Sequence, residues 1–84
     1  MYQVVIKRQA IKEISWLPLQ IQEQAMQKID VLKSNPRPFG SKKLQGADDR
    51  WRIRIGNYRI LYKIDDAIKQ IYIYRVLHRK EVYR

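Results

Sequence analysis

A single histidine, His78, closes the last apolar run of the sequence, and Arg79, Lys80 and Tyr83 follow it. Imidazole ordinarily titrates near pH ~6.5, which makes it the side chain best suited to move a proton near neutrality. Upstream, Arg52 and Arg54 alternate with apolar residues, and Arg59 stands just past Gly56-Asn57. Guanidinium groups remain charged and grip phosphate oxygens through forked N–H donors. These residue types suit cleavage of RNA without a metal. One group deprotonates a 2′-hydroxyl, cations stabilise the dianionic phosphorane, and an acid protonates the departing 5′-oxygen. Tyr83 is by type a further proton donor or a platform for a base, and a loose terminus is its plain structural alternative. Which group is base and which acid stays open at this level.

Composition narrows the setting. The chain has 84 residues, room for one domain spanning 1–84, and 45% of them are hydrophobic, enough for a folded core. Cysteine is absent and histidine occurs once, so a metal would have to rest on carboxylates. The candidates, Asp48-Asp49 and Asp65-Asp66, are adjacent pairs in turn-like segments, where bonding to local backbone is the simpler role. No cofactor is expected. No apolar stretch approaches the ~18 residues of a spanning helix, which predicts a cytoplasmic protein without a membrane partner. Eighteen basic against eight acidic residues give a net charge of +10, and so favour a polyanionic partner.

The elements that must carry these residues can be traced along the chain. Tyr2-Gln3-Val4-Val5-Ile6-Lys7 reads as a first strand with Tyr2, Val4 and Ile6 on one face. Ala10, Ile14 and Leu17, with Ile11 beside them, form the stripe of a short helix that Pro18 ends. Pro18 also suits the first turn of a second helix, whose apolar face comprises Ala25, Met26, Ile29, Val31 and Leu32. Breakers from Ser34 to Gly40 end that helix, and residues 35–49 read as a basic loop. Three strands then follow as an antiparallel meander: 51–55, 58–64 and 70–77. The predicted class is α+β, with the two-helix hairpin packed on one face of a twisted sheet.

Gly56-Asn57 as a two-residue turn sets position 54 opposite 59 and 52 opposite 61. Trp51, Ile53, Ile55, Tyr58, Ile60, Tyr62 and Ile64 then share a face for the helices, while Arg52, Arg54, Arg59, Leu61 and Lys63 share the other. Like charges placed opposite one another cost a sheet some stability unless an anion lies over them. A solvated outer face is the plain alternative. Lys42, Lys43 and Arg50 extend the candidate phosphate or RNA contacts towards the loop. Continuing the register with 64 opposite 71 places Tyr72, Tyr74, Val76 and His78 on the arginine face. It leaves Arg75 on the apolar face, where it needs an edge or a carboxylate.

The segment Trp51-Arg52-Ile53-Arg54-Ile55-Gly56-Asn57-Tyr58-Arg59-Ile60-Leu61-Tyr62, followed by Tyr74-Arg75-Val76-Leu77-His78-Arg79-Lys80-Glu81-Val82-Tyr83, resembles the RelE branch of the RelE/ParE toxin superfamily. The likeness extends over the helical hairpin and Lys42-Lys43-Leu44-Gln45-Gly46, and thus over nearly the whole chain. It implies the toxin of a type II toxin-antitoxin system: a ribosome-dependent mRNA endonuclease acting in the decoding site and neutralised by a cognate antitoxin. The implied cleavage is metal-independent attack by the 2′-hydroxyl, leaving a 2′,3′-cyclic phosphate. By the same resemblance Arg59 is the central phosphate-stabilising residue, Arg79 a second arginine, and Tyr83 the tyrosine near the cleaved nucleotide. His78 matches a basic position of RelE proper and the catalytic histidine of YoeB-type toxins.

Arg52 and Arg54 stand where RelE proper has lysines. Arginine is a poor general base, so these two positions fit phosphate stabilisation, and proton transfer moves towards His78. The acidic residue that assists YoeB-type toxins has Ser41-Lys42-Lys43 in its region here. Two readings compete with the endonuclease: a ParE-like toxin that inhibits gyrase, and a nucleic-acid-binding module without chemistry.

Overall fold

The computed structural model describes residues 1–46 and 49–82; Ala47, Asp48, Tyr83 and Arg84 lie outside the described residues. The elements are β1 (Gln3–Ile6), α1 (Arg8–Ser15), α2 (Leu19–Ser34), β2 (Lys42–Lys43), β3 (Arg50–Ile55), β4 (Tyr58–Asp65), β5 (Gln70–His78) and α3 (Arg79–Val82). The α+β class and the helical hairpin are as expected. The sheet is larger than a meander plus one strand, because β2 forms inside the segment read as loop. Its residues pair antiparallel with β3, Lys42 with Arg52 and Lys43 with Trp51. The sheet order is β1-β5-β4-β3-β2, and β1 runs parallel to β5.

The helices turn where proline dictates. Trp16 and Leu17 N–H groups close the end of α1 on the Glu13 and Ile14 carbonyls, and the Pro18 carbonyl accepts the first bonds of α2 from Ile21 and Gln22. In α2 the buried stripe is narrower than the predicted apolar face. Ala25, Ile29 and Leu32 are buried at i, i+4 and i+7, whereas the flanking Met26 and Val31 are exposed. Ile11 in α1 is exposed too, while Ala10 and Leu17 face the core.

Between β3 and β4 the two-residue turn forms as read, with Arg54 opposite Arg59 and Ile53 opposite Ile60. Gly56 has φ 58°, the left-handed value that a type II′ turn requires at its first central position. Ile53, Ile55, Ile60, Tyr62, Ile64, Ile71, Ile73 and Val76 are buried against the helices. Tyr62 is wholly buried, and its hydroxyl donates to the Pro36 carbonyl at 2.8 Å, tying the loop after α2 to the sheet. Burial pushes this phenol up to about 12.

In β5 the expected alternation fails at one point. Tyr62 pairs with Ile73, but Leu61 pairs with Arg75, so Tyr74 is the additional residue of a β-bulge. Beyond it every residue of β5 changes face. Val76 pairs with Ile60 and joins the core, Leu77 pairs with Arg59, and His78 pairs with Tyr58.

Candidate nucleic-acid site

On the face opposite the helices, the pairings line up basic residues in rows across the strands. Arg54 lies beside Arg59, which faces Leu77; Lys42 lies beside Arg52, which faces Leu61 and then Arg75. A third row runs from Arg50 through Lys63 to Tyr72. The two-residue periodicity of β3 and β4 brings these side chains together, as the turn register requires. Of the five predicted RNA contacts, Lys42 on β2 and Arg50, Arg52 and Arg54 on β3 stand on this face, whereas Lys43 pairs with Trp51 and so falls on the helix side, because side chains alternate along a strand.

Arg59 differs from the others in its burial. Only 7% of it is exposed; Nη1 donates to the Tyr58 carbonyl at 3.1 Å, and Nε has no acceptor among the described residues. Its cross-strand neighbour Arg54 is exposed and donates from Nε to the Gly56 carbonyl at 2.9 Å. A buried guanidinium with no carboxylate beside it among the described residues, directly across from an exposed arginine, concentrates positive charge at this end of the face. Buried polar groups are otherwise almost always satisfied.

His78 is not where the uninterrupted register put it. The bulge at Tyr74 turns it to the helix side, where its ring meets that of Tyr58 edge-on at 5.4 Å between centroids. It lines a cavity of about 430 Å³ together with Glu13, Trp16, Leu17 and Glu81. Its Nδ1 accepts the Lys80 N–H at 3.3 Å, so the neutral ring carries its proton on Nε2. His78 and Arg59 therefore share one end of the sheet but not one face. Arg79 is held at the same end, because its N–H donates to the Asn57 carbonyl of the β3–β4 turn at 2.8 Å. Tyr83 lies outside the described residues.

The bulge itself is held by Glu13, a residue that sequence reasoning passed over. Glu13 is 7% exposed; Oε1 accepts the Val76 N–H at 2.7 Å, and the carboxylate receives Arg75 Nε at 3.0 Å and Nη2 at 2.9 Å. The bulge takes Arg75 off the apolar face where the uninterrupted register put it, to a place opposite Leu61, yet it still pairs with a carboxylate, and that contact raises its pKa above the usual value. The available signal was the spacing Ile71, Ile73, Val76, which skips one position in an otherwise alternating strand.

The acidic pairs behave unequally. Asp65 Oδ1 accepts the Ala67 and Ile68 N–H groups, a local turn contact. Asp66 instead binds Tyr2 and Arg37 across the fold, with Arg37 Nη2 at 2.7 Å holding its carboxyl below the usual range. Asp49 meets Lys63 Nζ at 3.7 Å, and its neighbour Asp48 lies outside the described residues. Among the described residues no three His, Asp or Glu side chains converge as a metal would require. No helix among them is long and apolar enough to cross a membrane.

Comparison with known proteins is consistent with this architecture. The family model described as the ParE toxin of the type II toxin-antitoxin system parDE matches residues 4–83. The chain belongs to the RelE/ParE toxin superfamily. A toxin named RelE1 from Methanocaldococcus jannaschii is 33% identical over 88 residues, covering 99% of this chain and 96% of the relative. RelE in the archaeal RelE–RelB complex of Pyrococcus horikoshii is 31% identical with a TM-score of 0.84, over 93% of this chain and 94% of that one. The isolated E. coli RelE toxin is 28% identical with a TM-score of 0.82, over 99% and 92%. Within the superfamily this chain is a toxin of the RelE family of type II toxin-antitoxin systems.

Proposed function

We propose that this RelE-family toxin is a ribosome-dependent mRNA endonuclease that cleaves by 2′-hydroxyl attack, without metal. The observation that carries the reading is Arg59, a buried guanidinium with no carboxylate beside it among the described residues, directly opposite the exposed Arg54. A scissile phosphate seated on the exposed Arg54, with Arg59 directly opposite it across the strands, receives two guanidinium charges as the phosphorane forms. Positive charge that a metal supplies in other nucleases comes here from arginine, which is why the mechanism needs none. Arg52, Lys42, Lys43 and Arg50 hold neighbouring phosphates, and Arg79 approaches from the turn end.

Proton transfer is assigned to His78 through Nε2, with the RNA passing across the end of the sheet at Gly56-Asn57 to reach it. Tyr83 is retained from the family pattern as the residue next to the cleaved nucleotide. The expected protein partner is a cognate antitoxin, acidic or with an amphipathic helix. The RelE–RelB complexes of relatives support it, as do the exposed Trp16 and Leu19 at the helical turn. A ribosomal site of action places the toxin in the cytoplasm.

Primer extension on messages in a translating extract, with and without ribosomes, tests the reading. Cuts that require both toxin and ribosomes are expected, lost in Arg59→Ala and strongly reduced in His78→Gln. The ParE description of the matching family model favours one rival. Intact messages together with inhibited supercoiling would establish gyrase inhibition instead.

A further inference from the structure

At the other end of the basic face from Arg54 and Arg59 lies a cavity of about 390 Å³, lined by Lys7, Arg50, Lys63, Asp65, Tyr72 and Tyr74. We propose that this cavity is a second RNA subsite, which takes one nucleotide of the single strand at a distance from the cleaved bond: its base against the tyrosines, its phosphate among Lys7, Arg50 and Lys63. The inference rests on RNA being the substrate.

Its construction favours a nucleotide over a bare anion. Lys7 Nζ lies 5.5 Å from the Tyr72 ring centroid, and the Arg50 guanidinium lies 5.4 Å from that of Tyr74. Each ring is thereby paired with a cation, the combination that single-strand binding uses. Tyr74 is the extra residue of the bulge, and bulges re-aim side chains at sites. The Tyr72 hydroxyl donates to Gln70 Oε1, which fixes that ring. Two carboxylates face the cations. Asp65 spends Oδ1 on the Ala67 and Ile68 N–H groups, and Asp49 stands 3.7 Å from Lys63 Nζ. Three cations against two carboxylates leave the lining positive. The volume falls within the ~300–1,000 Å³ of small-ligand pockets.

Arg50 and Arg54 are four positions apart on β3, a distance of ~13 Å along a strand. An RNA reaching both is held extended across the face, so the cavity reads a base away from the cut and biases which sequences are cleaved. An acidic peptide satisfies the cations but leaves the rings without a stacking partner.

The test is an NMR titration of the whole protein with adenosine 5′-monophosphate, inorganic phosphate and polyglutamate in turn. Saturable shifts of the Lys63, Tyr72 and Tyr74 amides by the nucleotide are expected, with affinity about tenfold above that for phosphate. Tyr72→Leu should remove that advantage and Tyr72→Phe restore it, which separates stacking from a folding defect. Equal affinity for phosphate, tighter binding of polyglutamate, or no shift would each overturn the subsite. Message cleavage with a silent cavity defeats this inference alone, whereas nucleotide binding without cleavage defeats the endonuclease and leaves the subsite standing.

Discussion

Replacing Arg59 by methionine should make the protein more stable and inactive. Moving a guanidinium out of water costs several kcal/mol even after relaxation, and here the return is small. The described residues supply one hydrogen bond, from Nη1 to the Tyr58 carbonyl, no carboxylate within ion-pair distance, and nothing for Nε. A charge-assisted bond returns ~1.5–3 kcal/mol, which leaves a deficit of ~1–3 kcal/mol. Methionine fills similar volume between Leu61 and Leu77, incurs no such penalty, and removes one charge from a chain at +10. With a urea slope of ~1 kcal/mol per molar for so small a domain, the midpoint should rise by about 1–3 M. Phosphate in the buffer should narrow the gap by stabilising only the wild type. Equilibrium urea unfolding with and without phosphate, paired with the message-cleavage assay, measures both sides. A variant destabilised by more than ~1 kcal/mol would refute the reasoning, because it would mean that the guanidinium is a structural tie and not a charge kept there for an anion.

Glu13→Ala should cost ~2–3 kcal/mol, since it strands the buried Val76 N–H and releases a half-exposed Arg75; Glu13→Gln, which keeps an acceptor, should cost about half as much by urea unfolding. Tyr62 is protonated in both states below pH 10, and its raised folded pKa contributes stability that is lost as pH rises from 10 through about 12. Tyr62→Phe should therefore cost ~1 kcal/mol at neutral pH and show a shallower alkaline loss, by on the order of 2 kcal/mol, in unfolding followed by circular dichroism. Gly56→Ala should lower stability by ~1 kcal/mol through its positive φ, with equal thermal midpoints counting against the turn assignment.

What could be read in the sequence was what is local. The β3–β4 register followed from a two-residue turn with glycine first, and with it the cluster of Arg52, Arg54 and Arg59. The helical hairpin followed from spacing and Pro18. What escaped depends on distant partners. The skipped position between Ile73 and Val76 hints at the bulge, but the carboxylate that holds it, accepting the Val76 N–H, is 63 positions away in sequence. One extra residue there moves His78 from the arginine face to the side of Tyr58. β2 escaped because two lysines have little strand propensity of their own and form a strand by pairing with β3. Met26 and Val31 looked like core, but a helix lying on a sheet buries only a narrow stripe.

The parallel pairing of β1 with β5 has a consequence for how the toxin comes into being. Gln3 is matched to Gln70, so the first strand made has no neighbour until the last one has left the ribosome. Such a closing contact makes folding depend on the most distant parts of the chain and slows it. β5 also carries the partners of Arg59 and Tyr58, so a nascent chain halted before Gln70 has neither a closed sheet nor an assembled site. A toxin that cuts messages under translation would truncate its own nascent copies in this way, and those fragments would be inert. Activity would then appear only in finished chains, and production would be self-limiting at the level of synthesis.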